Sequence, residues 1–97
     1  MVKFTIEGGM LICRFLENMD TGSCQAISED LLKNVKESKK PVVFDLEKVD
    51  YVSSMVLGLC MAVLKQLGPD NLSIINVRPN VKKVFKISKI DALIKLE

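Results

Sequence analysis

Two short, β-branched apolar runs, residues 41–46 (PVVFDL) and 72–77 (LSIINV), constrain this chain most. Neither alternates, which is how a strand buried on both faces reads. Between them, residues 54–67 carry a helical pattern that stops at Gly68-Pro69. Strand, helix, strand in that order implies a right-handed crossover and a parallel sheet.

The same alternation extends outward. In residues 20–40, Cys24, Ile27, Leu31 and Val35 share one helical face, with Leu32 beside them. Asp20, Thr21 and Ser23 all suit an N-cap, and Glu29 and Asp30 lie in the first half. Lys33, Lys36, Lys39 and Lys40 gather at the far end, where cations suit the helix dipole, and Pro41 is expected to stop the helix. Asn80 is expected to cap a short third helix, with Val81, Val84 and Phe85 inward and Lys82, Lys83, Lys86 and Lys89 outward. Residues 93–96 read as a last strand.

The opening 17 residues alternate with period two around Gly8-Gly9, a two-residue turn signal, and so predict a β-hairpin. The expected order is β-β-α-β-α-β-α-β. This is an α/β fold with a mostly parallel mixed sheet, an antiparallel N-terminal hairpin strand at one edge, and helices packed against it. A length of 97 residues fits one domain over 1–97.

Composition narrows the chemistry. The chain has no histidine, which excludes Ser-His-Asp and Cys-His nucleophilic catalysis and most catalytic zinc sites. A net charge of +2 is too weak to imply nucleic acid or an anionic membrane. Cys13, Cys24 and Cys60 form no CxxC pair and fall in apolar segments, as free thiols of a reducing compartment do. No signal peptide is expected. The most apolar run, residues 55–64, is about half the length needed to cross a bilayer. A cytoplasmic protein without direct membrane insertion is the expectation, with no cofactor and no metal.

In open α/β sheets, function gathers at the carboxyl ends of the strands. Here that edge holds Asp45, Asp50, Ser53 and Ser54 from one connection and Asp20 from another. One of the two serines can cap the helix that follows. On that helix Val56, Leu57, Cys60, Leu64 and Leu67 form a stripe expected to face the sheet. Met55, Gly58, Leu59, Ala62 and Gln66 fall near the opposite side, with Ser54 close to Gly58. An outer face this apolar reads as a contact surface, unless the last strand or a homodimer covers it. Small residues at Gly58 and Ala62 leave room for another backbone beside Ser54.

The stretch DLEKVDYVSSMVLGLCMAVLK resembles the signature segment of the STAS domain of bacterial anti-sigma factor antagonists. There, a strand ending in Asp-Leu leads through a short connection to Asp-Ser-Ser-Gly-Leu-Gly at a helix start. Asp45-Leu46 and Leu57-Gly58 match its two ends, and the family's phosphorylated serine falls on Ser54. The segment LSIINVRPNVKKVFKISKIDALIKL is similar to the family's later strand, turn, third helix and final strand. Asp20 stands where these domains carry an acidic residue after the second strand. The resemblance implies an anti-sigma factor partner with serine kinase activity, of the histidine-kinase-like ATPase class. The unphosphorylated form would bind it through Asp20, Ser53, Ser54, Met55, Gly58, Leu59 and Ala62. The pattern departs at three positions: Ser53 replaces the family Asp, Met55 the second serine and Val56 a glycine. Asp50 or Asp20 could stand in for the missing charge, and valine adds bulk near the acceptor.

Those departures also suit a scaffold without phosphorylation, in a signalling assembly or a lipid-transport ABC complex. Enzymatic readings have less to stand on. Cys24 near a helix start could be an activated thiol, but lacks a histidine base. Asp45, Asp50 and Asp20 could hold magnesium. A Gly-rich phosphate loop is absent. The lysines of the third helix have no interleaved aromatics, as nucleic-acid binding would require, and read as a solvated face.

Overall fold

In a computed structural model, which describes residues 2–97, Gly8 and Gly9 both take left-handed backbone, with φ of 57° and 77°. A two-residue primed turn requires that conformation. It joins β1 (Val2–Glu7) to the antiparallel β2 (Met10–Phe15), in a register running from Glu7 opposite Met10 to Val2 opposite Phe15.

The first helix, α1 (Thr21–Ser38), is capped by Asp20, whose Oδ1 accepts the Ser23 N–H at 2.8 Å. Its buried residues are Cys24, Ile27, Leu31 and Val35, the stripe expected from the period. It ends before Pro41, because Lys39 turns into the left-handed region at φ 54°. Next come β3 (Val42–Asp45), α2 (Ser54–Leu67), β4 (Leu72–Ile75), α3 (Pro79–Ile87) and β5 (Lys95–Leu96). The bounds of α2 are those expected. Both interior strands are shorter than their apolar runs, and β4 stops where Asn76 takes φ 56°. Asn80 does not cap α3. Pro79 is its first residue and Arg78 holds the cap position, as fits a proline with no N–H to satisfy. The last strand is two residues long, because Leu93 and Ile94 both donate to the Ile90 carbonyl and so stay with the 3-10 turn at Ile90–Ala92.

The sheet order is β1-β2-β3-β4-β5, parallel from β2 onward. Each parallel step moves one strand in the same direction, so right-handed crossovers place all three helices on one face. The core agrees. Leu11, Cys13, Phe15, Val42, Phe44, Leu46, Leu72 and Ile74 form one cluster with the buried residues of α1, α2 and α3. Phe15 and Phe44 pack with ring centroids 5.1 Å apart. The other face bears a row through all five strands, Thr5, Ile12, Val43, Ser73 and Lys95. The central strand is buried as expected, yet only one of its faces is covered by helices.

The face of α2 differs from the expected one. Val56, Leu59, Cys60, Val63 and Leu64 are buried. Leu59, expected on the outer face, is 5% exposed and belongs to the core. The cause lies in the helix itself: apolar residues surround it, so periodicity alone leaves its rotation open.

Candidate functional site

Both helix starts at the carboxyl edge are set by one parallel bridge, Met19 with Val52. The Met19 N–H donates to the Tyr51 carbonyl at 2.9 Å, and the Ser53 N–H donates to the Met19 carbonyl at 2.7 Å. Two residues past this bridge α1 begins at Thr21 and α2 at Ser54. The structure thus brings Asp20 to the same edge as Ser53 and Ser54. Asp20 is exposed, and the hydrogen bonds from Ser23 hold its carboxyl below the ordinary range.

The two serines differ sharply. Ser54 is exposed on the first turn of α2. Ser53 occupies the cap position but makes no side-chain cap, and it is 6% exposed with its Oγ unpartnered. The first turn of α2 contains no acidic residue. Its exposed N-terminal dipole therefore lacks the counter-charge that an aspartate cap would supply.

Downstream of Ser54, Met55, Gly58 and Met61 are exposed and Ala62 is half-buried. A Cβ added to Gly58 would meet nothing within 4 Å, so no internal packing requires glycine there. Gly58, Met61, Ala62, Leu64, Lys65 and Leu93 line a groove of about 570 Å³. The last strand does not cover this face, because Leu93 stops at the groove's rim and remains exposed. Leu59 supports the surface from below. Val56 is 1% exposed, so the valine found in place of glycine turns inward and adds no bulk at Ser54.

The aspartates do not converge. Asp45 accepts from Asn76 Nδ2 at 3.0 Å and from the Glu47 N–H at 3.1 Å, and pairs with Arg14 at 3.5 Å. Asp50 pairs with Arg78 at 2.8 Å. No group of three or more metal-ligating side chains occurs among the described residues. Cys24 is buried on the inward stripe of α1, and burial raises its thiol pKa, the opposite of an activated nucleophile.

Three residues that fasten the site stand outside the expected site residues: Asn18, which begins the loop expected at this edge, Arg78 and Asn80. Asn18 Oδ1 accepts the N–H groups of Asp50 at 2.7 Å and Tyr51 at 3.2 Å. Arg78 donates to the Glu47 carbonyl through Nε at 3.1 Å and Nη2 at 2.9 Å, and Asn80 Nδ2 donates to the Asp50 carbonyl. One signal pointed that way. Arg78 stands just before Pro79 after an apolar run, which places a guanidinium at the carboxyl edge.

A family model described as the STAS domain matches residues 1–97. The chain is 32% identical over 91 residues to a Bordetella bronchiseptica protein provisionally named anti-sigma factor antagonist BtrV, covering 90% of this chain and 78% of that one. Among solved structures it is similar to one from Thermotoga maritima, provisionally described as an anti-sigma factor antagonist. That match has a TM-score of 0.86 at 14% identity and covers 98% of this chain and 84% of that one. It is also similar to the anti-sigma factor antagonist SpoIIAA in its unphosphorylated form, with a TM-score of 0.79 at 14% identity, over 100% of this chain and 88% of that one. The phosphorylated form of SpoIIAA gives a TM-score of 0.71 at 14% identity, over 100% and 91%.

Proposed function

The chain belongs to the STAS domain family, and we propose that it is a protein-binding regulatory module acting as an anti-sigma factor antagonist. Its partner in this reading is an anti-sigma factor with serine kinase activity, of the histidine-kinase-like ATPase class, in the cytoplasm. Ser54 is the phosphorylated residue, and the module is a target of catalysis rather than a catalyst. One observation carries this: an exposed hydroxyl on the first turn of α2, beside an apolar face and a groove lined by Gly58, Met61, Ala62 and Leu93. The name of the Bordetella relative and the two forms of SpoIIAA support the same direction.

The chemistry follows. Ser54 Oγ bonds to the γ-phosphorus of ATP, the bond to the bridging oxygen breaks, and ADP leaves. The hydroxyl proton passes to a base on the kinase, since Asp50 is paired with Arg78 and Asp20 accepts from Ser23. The product gains about −1.5 to −2 charge at pH 7, which takes the net charge from +2 to about zero. A helix start tolerates that dianion, so the fold is kept. Docking is lost, because an apolar partner surface would have to desolvate the phosphate.

A pull-down from the native cell followed by incubation with ATP tests this. The expected result is a histidine-kinase-like ATPase in the pull-down and one phosphate on Ser54, absent from Ser54→Ala. In binding measurements, Ser54→Asp should weaken the complex about tenfold or more. No added phosphate, or phosphate that persists in Ser54→Ala, overturns the assignment.

One feature favours a second reading: the neutral, unpartnered Ser53 hydroxyl at the position of the family Asp. It suits a scaffold of a signalling assembly or lipid-transport ABC complex, never phosphorylated. Unchanged partner affinity in Ser54→Asp decides for it.

A further inference from the structure

The connection between β3 and α2, residues 46–53, contains neither helix nor strand, yet it is held at several points. Leu46, Val49 and Val52 anchor it in the core at 1%, 0% and 3% exposure. Asp50 is gripped through three groups: its N–H by Asn18, its carbonyl by Asn80 and its carboxylate by Arg78. Arg78 alone holds two points, the Glu47 carbonyl and the Asp50 carboxylate. A planar guanidinium can do this because its donors form a rigid fork, which an ammonium lacks.

We infer that Arg78 is a positioning residue for Ser54: it clamps residues 47–50 against the start of α3, so that a kinase meets Ser54 as part of a rigid folded surface. This rests on the reading of Ser54 as phosphoacceptor. The clamp lies 4 to 7 residues upstream of Ser54 in the chain. Asp50 lies two residues before Val52, whose bridge to Met19 stands directly ahead of the helix start. The docking face, in contrast, is carried by α2 and Leu93, which Arg78 does not line. Loss of the clamp therefore misplaces the hydroxyl without removing the docking contacts. In-line transfer is sensitive to such errors, since a misplacement near 1 Å costs about a hundredfold.

The test combines amide exchange with steady-state phosphorylation of the full chain by the partner kinase. In Arg78→Ala, exchange at Asp50 and Tyr51 should accelerate. The kcat for Ser54 should fall about tenfold or more, with KM changed by less than about twofold. Arg78→Lys should recover only part of kcat, since one ammonium cannot hold both Glu47 and Asp50. Should Arg78→Ala fail to fold, Asp50→Asn removes the ion pair and leaves the Glu47 bonds, and an intermediate fall in kcat is expected. Three results overturn the inference: unchanged exchange, unchanged kcat, or a raised KM at constant kcat, which would make Arg78 a docking contact. A wild-type chain that takes no phosphate overturns the phosphoacceptor reading and this inference together. That outcome is distinct from equal rates in wild type and variant.

Discussion

Gly58 offers a direct test of whether the outer face of α2 is shaped by something outside the molecule. Glycine in a helix interior is less favourable than alanine by about 0.5–1 kcal/mol, because it loses more backbone freedom on folding. Gly58 lies inside α2 at an ordinary backbone conformation, and a Cβ there would meet nothing within 4 Å. Gly58→Ala should therefore stabilise the fold by about 0.5–1 kcal/mol, raising Tm by roughly 2–8 °C for a domain of this size. Thermal unfolding followed by far-ultraviolet dichroism measures it. The same position seen from the partner should behave oppositely. A bulky Gly58→Leu fills the approach beside Ser54 and the groove, so affinity for the partner should drop about tenfold or more. A lower Tm in Gly58→Ala would mean that something inside the molecule packs against this position. Unchanged affinity in Gly58→Leu would mean that the partner docks elsewhere. Either result refutes the reasoning.

Other outcomes follow from the same structure. Leu59→Ala should lose about 2–5 kcal/mol in denaturant unfolding, as a core truncation does; a loss below about 0.5 kcal/mol would return Leu59 to the surface. The Asp20 carboxyl titrates below the ordinary range in the folded chain, so its contribution is present above the unfolded pKa and lost as pH falls through the folded one. Asp20→Asn keeps an acceptor that does not titrate, and wild type should lose Tm relative to it from about pH 5 downward. A pH-independent difference would contradict this. Burial pushes the thiols of Cys13 and Cys60 up to about 12. Disulfide reagents near pH 8 should label neither until the chain is unfolded, and stoichiometric labelling of the native protein would contradict that burial.

What the residues declared in advance was local. Gly8-Gly9 set the hairpin, Gly68 closed α2, and the four-residue spacing of Ile27, Leu31 and Val35 fixed the face of α1. Where polarity marks one side of an element, its rotation is legible; α2 has no such contrast, and its period puts the buried Leu59 on the wrong side. α1 and β4 end earlier than the sequence predicts because Lys39 and Asn76 take left-handed backbone without being glycine. The fastening of the Ser54 connection was hidden for another reason. Asn18 reaches Asp50 across 32 positions and Arg78 reaches it across 28. No local pattern encodes such pairs, because only the strand order brings β2, β3 and β4 to one edge.

The bridge of Met19 with Val52 starts two helices side by side and in step. Two partial positive charges of like sign thus face the same solvent. One start carries its own counterion in Asp20, while the other opens on a neutral serine. The edge is an unfinished pair, complete on α1 and open on α2. A phosphate on Ser54 would complete it, so the modified domain should melt no lower than the unmodified one. The switch would then run on a conflict of interests: the charge that suits the domain's own backbone is the charge its partner cannot accept.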